Sequence, residues 1–357
     1  ILCPMYSNGI LLASPMPHSR FLTAYVDLPF IEKLWANKPE LVADPYDERP
    51  DIWRSVCSFL QRDARIVVDV DQKTLESRQR LQAFLFATGQ VKQVSIDPGV
   101  TQSLSHPDHV QENNPYTLFL LENPEVPVDD LREQTGLLFL RYDDLARDWL
   151  RLFRQHNIDV GAESGEAFQW NRLQQHGWPL NSLVVADKYA YNQFIGDTFE
   201  ENLGALFLSL LPERIGQTSH ITLITDLWTA YQEKTLKPNE IHDRIEDHIT
   251  AHRPGLDVSI TVSSYKKEAG HKDRFIITNY ALFASNDSFE FFRNGTLKKE
   301  TFVHHLPLSE NGPTVKRRLR RLAEINSSPP EYPRPNERNL LLGSGSGRNR
   351  LLDTMAL

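Results

Sequence analysis

LVVAD (Leu183–Asp187), ITLITD (Ile221–Asp226) and VSITV (Val258–Val262) are three apolar, β-branched runs, and a helical pattern separates each from the next. Runs of this kind read as buried strands, because branched side chains pack well on a pleated surface covered on both faces. Between them, Phe199–Leu211 reads as a helix closed by Pro212, and Asn239–Thr250 as a second helix. Strand–helix alternation argues for α/β. Arg274–Thr278 (RFIIT) and Ala281–Ala284 (ALFA) then follow so closely that they read as a hairpin. Asp187, Asp226 and Asn279 all fall just after strands. Open α/β sheets gather ligands outside the carboxyl ends of their strands.

Toward the N-terminus the same alternation recurs. Asp51–Gln61 has apolar residues at helical spacing, Arg65–Val70 (RIVVDV) reads as a strand, and Leu75–Ala87 as a helix. Tyr116–Leu121 and Leu137–Leu140 are further strands, and Asp143–Gln155 is an amphipathic helix with two aspartates at its N-terminal end. Residues 1–50 are rich in proline and aromatics and carry no clear period. Residues 156–180 read as a linker with one short helix, which sets the expected organisation. An N-terminal α/β domain spans 1–165, a second domain spans 180–325, and a flexible tail spans 326–357, where SSPPEYPRP and GSGSG have linker composition. The 357 residues, 40% hydrophobic and 24% charged, suit two such domains.

Composition excludes several classes. No apolar run reaches the ~18 residues that suggest a membrane span. Two cysteines, Cys3 and Cys57, make neither a disulfide framework nor a zinc ribbon, and Cys57 reads as small core filler. No secretory signal is visible, and a reducing cytoplasm is the expected compartment. There is no Gly-rich phosphate loop, no GxSxG and no HExxH. The net charge is −8, but residues 253–321 hold 13 Lys+Arg against 7 Asp+Glu. An acidic chain repels polyanions at long range, whereas a local basic surface attracts them. KRRLRR (Lys316–Arg321), on a terminal helix, is either a solvated face or a nucleic-acid contact.

The stretch GHKDRFIITNYALFASNDSFEFF (Gly270–Phe292) places His271, Lys272 and Arg274 at the start of one strand, and Ser285, Asn286 and Asp287 at the end of the next. Clustered cationic donors and small polar groups are what a phosphodiester oxyanion requires. This stretch resembles the phospholipase D-like superfamily, in which a motif of His, one residue, Lys, four residues, Asp opens a strand and a polar turn follows. In register, Lys272 takes the His position, Arg274 the Lys position and Asn279 the Asp position, with Ala284 where the turn has glycine. The resemblance covers residues 181–303 and is to the degenerate branch, in which a single half binds rather than cuts. It implies a C-terminal half with a mixed sheet flanked by helices. It also implies a site of Lys272, Arg274, Asn279, Ser285, Asn286, Asp187 and Tyr189 that grips phosphate, most naturally nucleic acid. By analogy it implies an accessory role in bacterial or antiviral defence.

Other readings stay open. Covalent catalysis needs a nucleophilic imidazole and a second acid; His271, one residue out of register, is the candidate, with Asp273 to orient it. Asp69 and Asp71 alternate after a strand and share a face, so they can hold Mg²⁺ for a metal-dependent nuclease, with Glu122, Asp143 and Asp144 as further carboxylates. Phosphate binding alone calls for no cofactor. Tyr189 and Tyr191 can stack on a base. His242-Asp243 with His248 reads as a polar helix face, and His304-His305 as a loop or edge strand. A protein-interaction scaffold, with the N-terminal domain docking a protein partner, is the third reading.

Overall fold

The computed structural model describes residues 22–38, 49–62, 64–69, 73, 95–96, 115–145, 147, 154–161, 168–177, 179–232, 236–265, 274–298, 300–332 and 340–355. Among these residues the chain is mixed α/β, built on two principal sheets.

The first sheet is centred on β1 (Leu22–Asp27), a strand within the stretch that shows no period in the sequence. With β2 (Ala64–Asp69), β3 (Ser95–Ile96), β4 (Thr117–Leu120) and β5 (Leu138–Leu140) it forms a five-stranded sheet of order β3-β2-β1-β4-β5. Every neighbouring pair is parallel. The order reverses direction between β1 and β4, the topological switch point of this sheet. Helix α1 (Leu28–Ala36) starts directly from β1 because Asp27 caps it, accepting from the Phe30 amide at 2.8 Å, with proline in the first turn. Helix α2 (Arg49–Arg62) leads into β2, and α3 (Val128–Thr135) lies between β4 and β5. Gly136 ends α3 at φ +63, and a Cβ there would stand 2.7 Å from the Leu180 carbonyl oxygen. Conformation and space both demand glycine at this point.

The second sheet has eight strands in the order β17-β9-β8-β7-β10-β11-β14-β6. They are β6 (His156–Asp159), β7 (Ser182–Asp187), β8 (Ser219–Thr225), β9 (Val258–Ser264), β10 (Arg274–Thr278), β11 (Ala281–Ser285), β14 (Phe302–Pro307) and β17 (Gly343–Gly345). Strands β7, β8 and β9 are parallel. The hairpin β10–β11 joins them antiparallel through β7 and continues into β14 and β6. Two small ribbons pair β12 (Phe292–Arg293) with β13 (Thr296–Leu297) and β15 (Glu331–Tyr332) with β16 (Leu340–Leu341). Helices α4 (Asn171–Gly177), α5 (Tyr191–Ile195), α6 (Ala205–Leu210), α7 (Leu227–Gln232) and α8 (Pro238–His252) accompany the parallel strands; a π-helical turn, Glu200–Gly204, precedes α6. Helices α9 (Leu308–Ser327) and α10 (Arg350–Asp353) complete the fold.

Side chains alternate across the mixed sheet with the strand period of two. Val184, Phe275 and Ile277 face a core shared with Leu22, Val26 and Leu118 of the parallel sheet and with Val315 and Leu319 of α9. Val185, Ile276 and Phe283 face the opposite core, against Leu206 and Ile245. The two sheets therefore share an apolar core. No helix among the described residues is long and apolar enough to cross a membrane.

Three expectations are corrected. The stretch read as a linker supplies β6, which pairs with β14 as the sheet's terminal strand. His304 and His305 accordingly sit in β14, flanked on both sides, and not in a loop or edge strand. The stretch read as a flexible tail is built into the fold: β17 pairs with β9, and Leu342, Leu351 and Leu352 are buried. Asn349 caps α10 by accepting from the Leu351 amide, and donates to the Leu183 carbonyl and the Thr222 hydroxyl. The glycines of GSGSG serve close packing here. Gly345 has φ +97, and a Cβ on it would overlap the Ile260 carbonyl. The helix expected over Leu75–Ala87, and most of that expected over Asp143–Gln155, lie outside the described residues.

Candidate functional site

Arg274 opens β10 directly opposite Asp187, the last residue of β7. Cross-strand partners point to the same face, so register alone brings the cation over the carboxylate. Asp187 is fully buried. One of its carboxylate oxygens accepts from the Ser288 hydroxyl at 2.6 Å and the Phe289 amide at 2.9 Å; the other accepts from the Tyr189 amide at 3.0 Å. Burial raises its pKa, outweighing these bonds and the Arg274 charge, which act the other way.

The Arg274 guanidinium lies 5.4 Å from the centre of the Tyr189 ring and donates to the Asn286 carbonyl. Its buried Nε has no hydrogen-bond partner among the described residues. The Lys188 ammonium lies 6.0 Å from the same ring and 3.9 Å from the Asp226 carboxylate. Asp226 is itself held in place as the start of α7, accepting from the Thr229 amide and hydroxyl. Two cations thus share one half-buried tyrosine at the carboxyl ends of β7 and β8. Such cation–π geometry holds the charges in place while leaving them able to meet an anion. On the other face of β10, the Arg318 guanidinium of α9 stands 4.8 Å from the Phe275 ring. The basic run of α9 therefore lies against the same end of the sheet as Arg274. Lys316 in that run has its pKa lowered, first by burial and then by the charge of Arg320.

Of the residues named from sequence, Arg274, Asp187, Tyr189 and Asn286 come together here. Ser285 ends β11 beside them and accepts from the Asp287 amide at 3.1 Å. Asn279 does not join them. It follows the far end of β10, and at ~3.3 Å per residue that end is about 13 Å or more from Arg274. Its side chain is fully buried. It accepts from the amides of Asn181 (3.0 Å) and Ser182 (3.2 Å), and donates to the Pro115 carbonyl (2.7 Å) and the Asn181 side-chain oxygen (3.0 Å). Its role is to tie the hairpin to the entrances of β4 and β7. Tyr191 is buried, in contrast to Tyr189. His271, Lys272, Asp273 and Asp71 lie outside the described residues, as does the side chain of Asp69.

A second polar group occupies the carboxyl edge of the parallel sheet. Asp27 ends β1 in register with Asp69 at the end of β2. Besides capping α1, its carboxylate accepts from the amides of Glu122 and Asn123, both at 2.9 Å. Burial raises its pKa despite these bonds. The Lys33 ammonium bridges Glu122 (3.0 Å) and Asp143 (2.9 Å), which follow β4 and β5. Glu122 also accepts from the Tyr142 amide at 2.5 Å. Neither Asp27 nor Lys33 was expected as a site residue. The signal was present in VDLPF (Val26–Phe30), an aspartate between a strand and a proline-started helix.

On α8, His242 Nδ1 lies 3.1 Å from Asp243 and 4.0 Å from Glu246. Their ligand atoms all fall within 4.8 Å of one another, but both acids are on the exposed surface. The chain matches no protein-family model and no curated protein.

Proposed function

We propose that this chain binds the phosphate backbone of nucleic acid at the cationic end of its mixed sheet, as an accessory protein rather than a phosphodiesterase. The observation that carries the reading is the pairing of Arg274 and Lys188 on the single ring of Tyr189, above the buried Asp187. Phosphate recognition needs fixed cations, and a ring beside them offers a stacking surface for a base. The basic run of α9 adds positive charge at the same end of the sheet, from its opposite face, through Arg318. Residues 180–325 are read here as a phospholipase D-like half. Three parallel strands, β7, β8 and β9, followed by an antiparallel hairpin whose first strand opens on Arg274, support that reading. Lys272 stands where that family has its nucleophilic histidine. A protonated ammonium cannot attack phosphorus, which favours binding over cleavage.

One observation favours a second reading, a metal-dependent nuclease at the edge of the parallel sheet. The Lys33 ammonium, held between carboxylates from two strand ends, occupies a position that would suit a divalent cation. Fluorescence anisotropy and gel analysis of a labelled oligonucleotide, with Mg²⁺ and separately with EDTA, divide the readings. Salt-sensitive binding without cleavage in both arms, weakened in the Arg274→Gln and Lys188→Gln variants, supports the first. Cleavage only with Mg²⁺, abolished by Glu122→Gln, supports the second. Cleavage in EDTA that is lost in His271→Ala would overturn both in favour of histidine catalysis.

A further inference from the structure

We infer that the outer face of α9 is a second phosphate-contacting surface, which takes up the continuation of a single nucleic-acid strand held at Arg274 and Lys188; the inference rests on the phosphate-binding reading above. Val315, Leu319 and Leu322 of α9 face the core shared by the two sheets. At about 100° per residue, this spacing turns Arg317, Arg320 and Arg321 to the opposite side of the helix, with Lys316 at its margin. Arg317 and Arg320 are exposed, and Lys316 and Arg321 are half-buried. Arg317 and Arg320 have no ion-pair partner among the described residues. Residues three and four apart on a helix are neighbours, so these like charges repel one another. By contrast, the exposed arginines Arg147, Arg214 and Arg348 are each paired, with Asp144, Glu133 and Asp353. In a chain of net charge −8, a helix face with three arginines and a single acid, Glu324, one turn away stands apart from that pattern.

Consecutive residues of a strand face opposite sides of the sheet. Arg274 therefore stands over Asp187 and Tyr189 on one face, while Phe275 meets Arg318 of α9 on the other. The two cation groups lie at the same end of the mixed sheet, separated by at least one packed layer, about 10 Å. One phosphate cannot touch both. A strand of several nucleotides can, by passing over the start of β10. An unpaired strand makes that turn because its backbone bends freely between neighbouring phosphates. A duplex, with a persistence length of about 50 nm, does not follow so short a path. Arginine suits the second surface because its planar fork grips a phosphate through two parallel hydrogen bonds. Two linked contacts bind about 10²–10⁴ times more tightly than either alone when the connecting chain spans them.

The test measures the anisotropy of labelled oligothymidylates of ~4 and ~16 nucleotides on the full chain, since single-strand sites cover about 4–16 nucleotides. For the parent, affinity should rise by at least about 100-fold from the shorter strand to the longer. Arg317→Gln combined with Arg320→Gln should cut that rise to the roughly tenfold that extra registers supply, and flatten the salt slope for the longer strand by about 1.4. Both positions are exposed, and thermal unfolding checks that the variant stays folded. Arg214→Gln, which removes an exposed charge elsewhere, should leave the rise intact. An undiminished rise in the α9 variant, with both lengths still weakened by Arg274→Gln and Lys188→Gln, would overturn the second surface and leave the phosphate reading standing. Parent-like affinity in the Arg274→Gln, Lys188→Gln double variant would overturn the phosphate reading, and this inference with it. Equal affinity for a duplex of the same length would overturn the single-strand assignment. Binding of phosphatidylserine vesicles that depends on Arg317 and Arg320, with no oligonucleotide effect, would overturn it in favour of a membrane surface.

Discussion

Replacing Asn279 by alanine separates a structural role from a phosphate-binding one. The side chain makes four buried hydrogen bonds, accepting from two amides and donating to the Pro115 carbonyl and the Asn181 side chain. Alanine leaves the amides of Asn181 and Ser182 and the carbonyl of Pro115 without these partners. Each buried orphan costs about 1–3 kcal/mol, so the three together cost about 3–9 kcal/mol, a large part of the 5–15 kcal/mol typical of a folded protein. Pro115 precedes a strand of the parallel sheet, and Asn181 precedes one of the mixed sheet. The loss therefore falls on the joint between the sheets. Urea unfolding should show a large fall in midpoint. At low temperature, where the variant remains folded, oligonucleotide affinity should stay within about twofold of the parent, by the distance argument above. A shift under about 1 kcal/mol, or a folded variant that no longer binds, would refute the reasoning.

Further predictions follow from other parts of the fold. His220 accepts from the Arg350 amide, and burial, with the charges of Arg350 and Arg348, lowers its pKa to about 4. The unfolded chain takes up this proton near pH 6.5, so stability falls as pH drops from about 6.5 to about 4, by up to about 3 kcal/mol. His220→Asn should remove that slope in thermal denaturation across this range; an unchanged slope contradicts the assignment. Gly345→Ala should cost about 2 kcal/mol or more through its positive φ and the overlap with the Ile260 carbonyl. Limited proteolysis should then cut the released C-terminal segment, and resistance equal to the parent's counts against the packing described. Lys33→Met should cost about 1–3 kcal/mol by leaving Glu122 and Asp143 without their shared cation. Under the nuclease reading, Mg²⁺ but not Na⁺ of equal ionic strength restores the loss, as read by melting temperature.

The C-terminal strands were legible because their residues follow one simple rule. RFIIT and LVVAD are apolar on both faces, and both sheet faces are in fact covered by core. β1 was not legible in the same way. LTAYVD is short, contains threonine and tyrosine, and follows a proline-rich stretch, so its burial comes from neighbours far away in sequence. The tail misled through composition. Gly and Ser are common in linkers, yet Gly343 and Gly345 are required where β17 passes close to Pro329 and Ile260. For the site, register decided what pattern could not. Strand position placed Arg274 opposite Asp187, while Asn279, only five residues later, fell at the other end of the sheet. A motif read along the chain does not distinguish those two ends. The Lys188–Tyr189–Arg274 grouping depends on a β7 turn meeting a β10 start, a contact between residues far apart in sequence.

The central claim is that Arg274 and Lys188 neutralise phosphates at one place. The salt dependence of oligonucleotide binding measures this most directly, because each neutralised phosphate of a single strand contributes about −0.7 to the slope of log K against log salt. The Arg274→Gln, Lys188→Gln double variant should flatten the slope by about 1.4, while Tyr189→Ala weakens binding by about 1–3 kcal/mol with the slope unchanged. Equal slopes for the parent and the double variant, or no binding by the parent at low salt, would contradict the account.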